Sequence, residues 1–243
     1  MIELRAFKDL GRFENDWLKS RFHFSFAEYT DPERMAHGPL RVWNDDIIVP
    51  GGGFAMHSHR DMEIITYVRR GAITHEDHLG NKGRTEAGDV QVMHAGTGIQ
   101  HSEYNHEAEP AEIFQIWILP ASEGGAPGWA AREFPKADRS GALVTLASGR
   151  PGASNAPSAP SSDGDEALPI NQDASMLAAT LNAGQSATHD IAPGRRAYLV
   201  VAAGAIEVNG VAMNVRDGAA IEDEASLAIT ARADSEIILI DLP

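Results

Sequence analysis

The sequence predicts an all-β protein with two β-domains in one chain, and three observations support this fold class. Short segments of strand-forming residues recur along the 243 residues and are separated by glycine-containing turn sequences. Patterns with the helical period are scarce. A stretch rich in Gly, Pro, Ser and Ala divides two strand-rich regions, and such a composition cannot bury a core. We therefore expect an N-terminal domain at 1–148, a flexible linker at 149–167 and a C-terminal domain at 168–243.

Strand-like segments of the N-terminal domain include EIITYV, DVQVMHA and EIFQIWIL, and its turn sequences include LGNKGR and EAGD. Regularly spaced short strands are typical of a sandwich, a jelly roll or a barrel. Two segments, ENDWLKS and DPERMA, are each expected to form a turn or two of helix. Along EIFQIWIL, Phe114 and Ile116 alternate with Gln115 and Trp117, so most of this strand is expected in the core, with one face as a candidate pocket lining.

The C-terminal domain carries a specific hairpin signal. AYLVVAAGAIEVNGVAMNV places Asn209 and Gly210 between two apolar runs, and a type I′ turn needs positive φ at both central residues. SLAITARADSEIILIDL predicts a further pair of strands. The one histidine of this region, His189, has no companion ligands nearby in sequence, so no metal site is expected here.

Composition excludes several function classes. The formal net charge of -15 repels phosphate backbones, so direct nucleic-acid binding is not expected. The absence of cysteine excludes disulfides, thiolate metal sites and a cysteine nucleophile. No stretch approaches the roughly 18 apolar residues of a membrane helix. The start, MIELRAFKDLGRFENDW, lacks the pattern of a signal peptide, so a cytoplasmic protein is expected.

Two segments each carry a pair of metal-ligating residue types two positions apart. FAMHSHRD contains His57 and His59, and GIQHSEYN contains His101 and Glu103. Alternate residues of a β-strand point to the same face, so each pair shares a face if its segment is extended. Two such pairs on different strands can converge inside a barrel. The sequence thereby predicts a site with three imidazoles and one carboxylate.

This donor set suits a divalent first-row metal such as iron, manganese, nickel, copper or zinc, and disfavours calcium. Four protein ligands leave one or two positions for a substrate oxygen, water or dioxygen. Two alternatives remain at this point. The H-x-H pair could be the exposed polar face of a sheet, and Glu63 shares the parity of His57 and His59, so it is a rival carboxylate ligand. Among the other nearby histidines, His75 in the strand-like GAITHED is the best candidate to contact a metal-ligating side chain without binding the metal itself.

The same segments resemble the cupin superfamily. GGGFAMHSHRDME, with Gly71 after it, resembles the first cupin motif, and GDVQVMHAGTGIQHSEYN resembles the second. Within the cupins, residues 10–120 resemble the pirin family almost continuously. The segments that carry this resemblance also include WLKSRFHFSFAEY, GPLRVWNDDIIVPGGGF, GAITHEDHLGNKG and FQIWILP.

The resemblance implies two cupin (jelly-roll β-barrel) domains, with one metal in the N-terminal domain and a degenerate C-terminal domain without a metal site. By resemblance the ligands are His57, His59, His101 and Glu103, in preference to Glu63. Iron is the expected metal, with manganese, nickel, copper, cobalt and zinc as alternatives. A monomer is expected.

The resemblance also implies a function. Several pirins are linked to quercetin 2,3-dioxygenase activity, so we expect a small flavonol-like aromatic substrate, whose ring is opened with O2. Glu103 is the expected catalytic residue, as the general base for the substrate hydroxyl. The alternative implied by the same family is a non-enzymatic regulatory protein whose metal alters the binding of a protein partner.

Overall fold

The structure is a computed structural model that describes residues 1–150 and 167–243. Its regular elements are two short 3-10 helices, Phe7–Asp9 and Lys136–Arg139, and many strands, which confirms the all-β prediction. The strands before residue 151 are β1 (Ile2–Arg5), β2 (Gly11–Glu14), β3 (Leu18–Phe22), β4 (Leu40–Ile48), β5 (Gly53–His59), β6 (Glu63–Arg70), β7 (Ala72–Asp77), β8 (Lys82–Glu86), β9 (Val90–His94), β10 (Ile99–Tyr104), β11 (Ala111–Ile118), β12 (Gly128–Arg132) and β13 (Val144–Ser148).

The strands after residue 166 are β14 (Leu168–Pro169), β15 (Ser175–Leu181), β16 (Ser186–Asp190), β17 (Arg196–Ala203), β18 (Ala205–Val208), β19 (Val211–Asn214), β20 (Gly218–Glu222), β21 (Ser226–Ala231) and β22 (Ser235–Leu242). Among the described helices, none has the length and hydropathy of a membrane span. Most of the predicted linker falls at 151–166, outside the described residues.

Contacts divide the chain into two units. The N-terminal unit comprises Gly11–Phe134 with Leu168–Gln172, and the C-terminal unit comprises Met1–Leu10, Pro135–Ala167 and Asp173–Pro243. This division differs from the linear one that the sequence predicts at residue 148. The reason is strand order, because β1 pairs with β20 and β13 pairs with β15, which assigns both chain segments to the C-terminal unit.

The N-terminal unit contains two antiparallel sheets that face each other. The larger has the order β12-β9-β6-β11-β4-β3-β2 and the smaller the order β5-β10-β7-β8. Apolar side chains from both sheets form a buried cluster between them, and each fully buried side chain of this size contributes about 1.5–3 kcal/mol. The cluster contains Leu18, Ile48, Val68, Ile73 and Ile113, with Trp17 and Phe54 packed against it.

Neither predicted helical segment of this unit is helical. ENDWLKS instead spans the turn of the β2–β3 hairpin, in which Glu14 pairs with Lys19, and DPERMA forms turns and bends. Tertiary pairing outweighs the weak helical preference of such short segments, since a single helical turn is costly to nucleate.

The C-terminal unit has its own pair of sheets and its own apolar core. Six of its strands follow the order β1-β20-β17-β22-β15-β13, and the other four follow the order β16-β21-β18-β19. The predicted hairpin is confirmed, because Val208 pairs with Val211 across Asn209 (φ 44°) and Gly210 (φ 85°). The predicted strands in SLAITARADSEIILIDL both form, but β21 and β22 belong to different sheets and do not pair with each other.

Candidate metal centre

Three of the predicted site residues converge at one point of the smaller N-terminal sheet. β10 pairs with β5 so that His101 lies directly opposite His57, while His59 lies opposite Ile99. The ring centroids of the three imidazoles are 4.5–5.0 Å apart. One ring nitrogen from each lies within 4.8 Å of the others, which is a spacing that a single metal ion can bridge.

Two of these imidazoles have a ring nitrogen that is free of hydrogen bonds to the described residues and could donate its lone pair to a metal. His57 Nδ1 lies 2.7 Å from the Ala55 carbonyl oxygen, to which it donates, so its Nε2 carries the lone pair. His101 is 2% exposed, and its Nε2 is a buried polar atom that has no hydrogen-bond partner among the described residues. Such an atom costs free energy unless something binds it. The residues present therefore fit a divalent metal.

The charge state of the imidazoles also fits metal ligation, which requires the neutral form. Burial and, to a smaller extent, the neighbouring His57 together lower the pKa of His59 to about 4. Burial and the adjacent imidazoles lower the pKa of His101 to about 2. These pKa values favour the neutral form of both rings at pH 7, so a metal would not have to displace a positive charge there.

Glu103 is buried next to this cluster, and the group of ligand atoms within 4.8 Å contains the three histidines without it. β10 shifts its register against β5 between His101 and Glu103. The extra residue lies on β5, between Phe54 and His57, while β10 pairs with β7 in unbroken register from His101 to Tyr104. His101 and Glu103 therefore share one face of β10, as the parity argument predicts.

A row of polar side chains on the larger sheet holds the Glu103 carboxylate. Gln115 lies directly opposite Thr66, which lies opposite Gln91, so the three share one face across β11, β6 and β9. Oε1 accepts hydrogen bonds from Thr66 Oγ1 (3.2 Å) and Gln91 Nε2, and Oε2 accepts one from Gln115 Nε2 (2.8 Å). Burial raises the pKa of Glu103 to about 7, against the effect of these three donors.

The rival ligand Glu63 lies on the next strand in a different setting. β5 ends at His59, and the chain turns through Asp61 (φ 47°) before β6 begins at Glu63. The shared parity is therefore broken. Glu63 Oε2 accepts hydrogen bonds from His94 Nδ1 and from the backbone N–H of Asn171, which lies 3.1 Å away.

One side of the histidine cluster is lined by aromatic rings. Trp117 contacts His59 edge to face, with 4.9 Å between ring centroids, and Phe26 packs against Trp117 at 5.5 Å. Trp117 Nε1 donates to Gln115 Oε1 at 3.2 Å. The Gln115 and Trp117 face of β11 thus points to the site, while Phe114 is fully buried in the core.

Sequence reasoning missed the residues that hold the ligands. Gln91 and Thr66 were unassigned, although a glutamine within the apolar run DVQVM is a signal of a buried polar role. His75, the one flanking histidine expected near a ligand, does contact His101, with 3.4 Å between their Nδ1 atoms.

Comparisons with known proteins agree on one family. Residues 3–118 match the family model described as Pirin, and residues 159–242 match the model described as Quercetinase C-terminal cupin domain. The chain is 58% identical over 241 residues to a "Pirin-like protein" of Caulobacter vibrioides, which covers 99% of each chain. It is 41% identical over 244 residues to the "Quercetin 2,3-dioxygenase" of Escherichia coli K12, covering 100% of this chain and 99% of that protein.

A solved structure gives the same result for the fold. The crystal structure of the bacterial pirin YhhW of Escherichia coli in complex with nickel(II) superposes with a TM-score of 0.89 at 40% sequence identity. The match covers 100% of this chain and 99% of that one.

Proposed function

The chain belongs to the pirin family, and we propose that it is a metal-dependent dioxygenase that opens a flavonol-like ring with O2. The family and the two-cupin fold are those that the sequence resemblance predicts, and both are confirmed. The observation that carries the proposal is the buried, unpartnered Nε2 of His101, which faces two further imidazoles beside an aromatic wall. The name of the Escherichia coli relative supports the substrate class.

The proposed ligands are His57, His59 and His101, with Glu103 as the fourth. Iron is the metal we propose, and the nickel(II) complex of a relative supports nickel as the alternative. A divalent metal bound there would supply Lewis acidity, lowering the pKa of a substrate hydroxyl.

Glu103 is the proposed general base. It is buried, two residues after His101 on β10, and the hydrogen bonds from Thr66, Gln91 and Gln115 keep its carboxylate in one orientation. A proton from the substrate hydroxyl would pass to a carboxylate oxygen of Glu103. The resulting flavonolate is electron-rich and supplies the electrons that reduce O2. Both oxygen atoms enter the products as new carbon–oxygen bonds replace the ring carbon–carbon bonds that break.

The aromatic wall provides a place for a planar substrate. Trp117 stands beside His59, and the hydrogen bond from its Nε1 to Gln115 fixes the orientation of the indole. An aromatic ring bound against Trp117 would gain about 0.5–1.5 kcal/mol beyond its area of contact. The same hydrogen-bond chain runs on to Glu103, so the wall and the proposed base are positioned together.

The test combines metal analysis with turnover on the same samples. Bound metal is measured by elemental analysis, and quercetin loss is measured together with oxygen uptake. We expect stoichiometric metal and matched consumption in the wild type. His57→Ala should lose both metal and turnover, and Glu103→Gln should lose a factor of about 10²–10⁴ in turnover. His106→Ala, which alters an exposed histidine, is the matched control.

The outcomes separate the possible functions. Full turnover in Glu103→Gln would show that Glu103 is not the general base. Stoichiometric metal with no turnover of any flavonol would refute the dioxygenase and favour the regulatory alternative. A wild type that binds no metal would refute the site itself.

A further inference from the structure

A second row of polar side chains lies behind His101, on the neighbouring strand of the smaller sheet. β7 pairs with β10 so that Asp77 lies opposite His101 and His75 lies opposite Glu103. His101 Nδ1 is 3.4 Å from His75 Nδ1, and His75 Nε2 is 3.1 Å from Asp77 Oδ2. The three side chains are buried. Together they form a continuous hydrogen-bonded chain that ends at the nitrogen facing the proposed metal.

We propose that Asp77 and His75 are positioning residues that fix the tautomer of His101, so that its Nε2 presents a lone pair to the metal. The inference rests on the proposed metal site and is independent of the reaction catalysed there. It deepens the site by naming the acceptors that orient one of its ligands.

Hydrogen bonds other than the one from His75 hold the Asp77 carboxylate in place. Its Oδ1 accepts hydrogen bonds from the backbone N–H groups of Leu79 (2.9 Å) and Asn81 (3.0 Å). Its Oδ2 accepts one from Asn81 Nδ2 at 2.9 Å, as well as the bond from His75. Both oxygens therefore act as acceptors, and His75 Nε2 must carry the proton that it donates.

The proton on His75 Nε2 determines where the ring proton of His101 lies. A neutral His75 ring that donates through Nε2 to Asp77 has its lone pair on Nδ1. The contact between the two Nδ1 atoms then requires the proton to be on His101. A neutral His101 with a proton on Nδ1 has its lone pair on Nε2, which is the buried atom without a partner.

Packing holds the His75 ring in the orientation that this chain needs. Trp129 stacks on it with 4.8 Å between ring centroids and 7° between the planes. The indole in turn lies against Gly83, where an added Cβ would come 2.1 Å from Trp129 Cη2. The glycine thus leaves the space in which the indole supports His75.

The decisive variant is Asp77→Asn. The atom in the place of Oδ1 faces two backbone N–H groups, so it must remain an oxygen, and the amide nitrogen takes the place of Oδ2. This nitrogen donates to His75 Nε2, which moves the His75 proton to Nδ1, and the Asn81 amide turns so that its oxygen accepts the second N–H. His101 Nδ1 must then accept, and its proton moves to Nε2, where it blocks metal ligation.

Two measurements test this chain. Two-bond ¹H–¹⁵N correlation spectra of metal-free, ¹⁵N-histidine-labelled protein show which ring nitrogen is protonated. We expect His101 to carry its proton on Nδ1 in the wild type and on Nε2 in Asp77→Asn. The second measurement is nickel(II) affinity by competition with a chelator, where we expect a loss of about 10–100-fold in Asp77→Asn.

Glu76→Gln is the matched control, because Glu76 neighbours Asp77 but its side chain is 45% exposed and pairs with Lys82. It should leave both the tautomer and the nickel affinity unchanged. His75→Phe, which keeps a ring to stack on Trp129 and removes the acceptor, should give mixed tautomers of His101 and weaker nickel binding.

A wild-type His101 protonated on Nε2 would overturn the proposal, whether or not the variants fold. So would an unchanged His101 tautomer in folded Asp77→Asn. A protein that shows the expected tautomers and holds nickel(II), yet turns over no flavonol, would refute the proposed reaction and leave this inference standing.

Discussion

Asp46, a buried aspartate of the N-terminal unit, is expected to make the stability of this unit depend on pH. Asp46 on β4 is 1% exposed, and Ser20 Oγ donates a hydrogen bond to its Oδ1. Burial raises the pKa of Asp46 from 3.8 to about 7, against the effect of Ser20, and the charges of Asp45 and Glu103 add to the rise. The perturbation is Asp46→Asn, which keeps an oxygen for Ser20 and removes the ionisation.

The sign and size of the effect follow from linkage. Between pH 4 and 7 the folded protein retains a proton that the unfolded chain releases, so the stability of the wild type falls as the pH rises. A rise of about three pKa units corresponds to about 4 kcal/mol, at roughly 1.4 kcal/mol for each unit. Asp46→Asn has no such dependence. We expect the difference in free energy of unfolding, Asp46→Asn minus wild type, to increase by up to about 4 kcal/mol between pH 4 and 7.

Tryptophan fluorescence is the suitable assay, because all four tryptophans lie in the N-terminal unit: Trp17, Trp43, Trp117 and Trp129. Guanidinium unfolding of the metal-free protein would be followed at several pH values from 4.5 to 7.5. Asp16→Asn, at an exposed position of the same unit, is the control. A difference between Asp46→Asn and the wild type that stays constant over this range would refute the reasoning.

Two further substitutions test the packing and the polar row. Gly83→Ala places a Cβ 2.1 Å from Trp129, so we expect the indole to move and its N–H signal in ¹H–¹⁵N spectra to shift. The free energy of unfolding should fall by about 1–3 kcal/mol. In the control, Gly128→Ala, the new Cβ meets nothing within 4 Å, and neither quantity should change. Gln115→Met removes one donor from Glu103, and we expect the free energy of unfolding to fall by about 1–3 kcal/mol in fluorescence-monitored denaturation, so an unchanged value would contradict the role of this row.

The sequence was sufficient to bring the histidines together because the relevant rule is local. His57 and His59 lie in a stretch of β5 that pairs regularly with β10, and strand alternation alone places them on one face. The same rule could not separate Glu63 from Glu103. That choice depends on where β5 ends and on the turn through Asp61, and strand pairing sets both features.

The strand pairing itself was beyond sequence reasoning for the same physical reason. The hairpin at Asn209 was predictable because its turn chemistry is contained in two residues. The assignment of β1 to the C-terminal unit depends on the partner β20, more than two hundred residues away in the chain. No local pattern records such a partner.

The proposed ligands on β10 have more hydrogen-bond support than those on β5. His101 and Glu103 lie on β10, between two neighbouring strands, and each has its own buried polar row behind it. His57 and His59 lie on β5, at the edge of that sheet, where His57 Nδ1 donates to the Ala55 carbonyl oxygen of the same strand. We therefore expect the β10 side to set the geometry of the proposed metal centre. The β5 side, with Trp117 beside His59, is then the side expected to move when the proposed substrate binds.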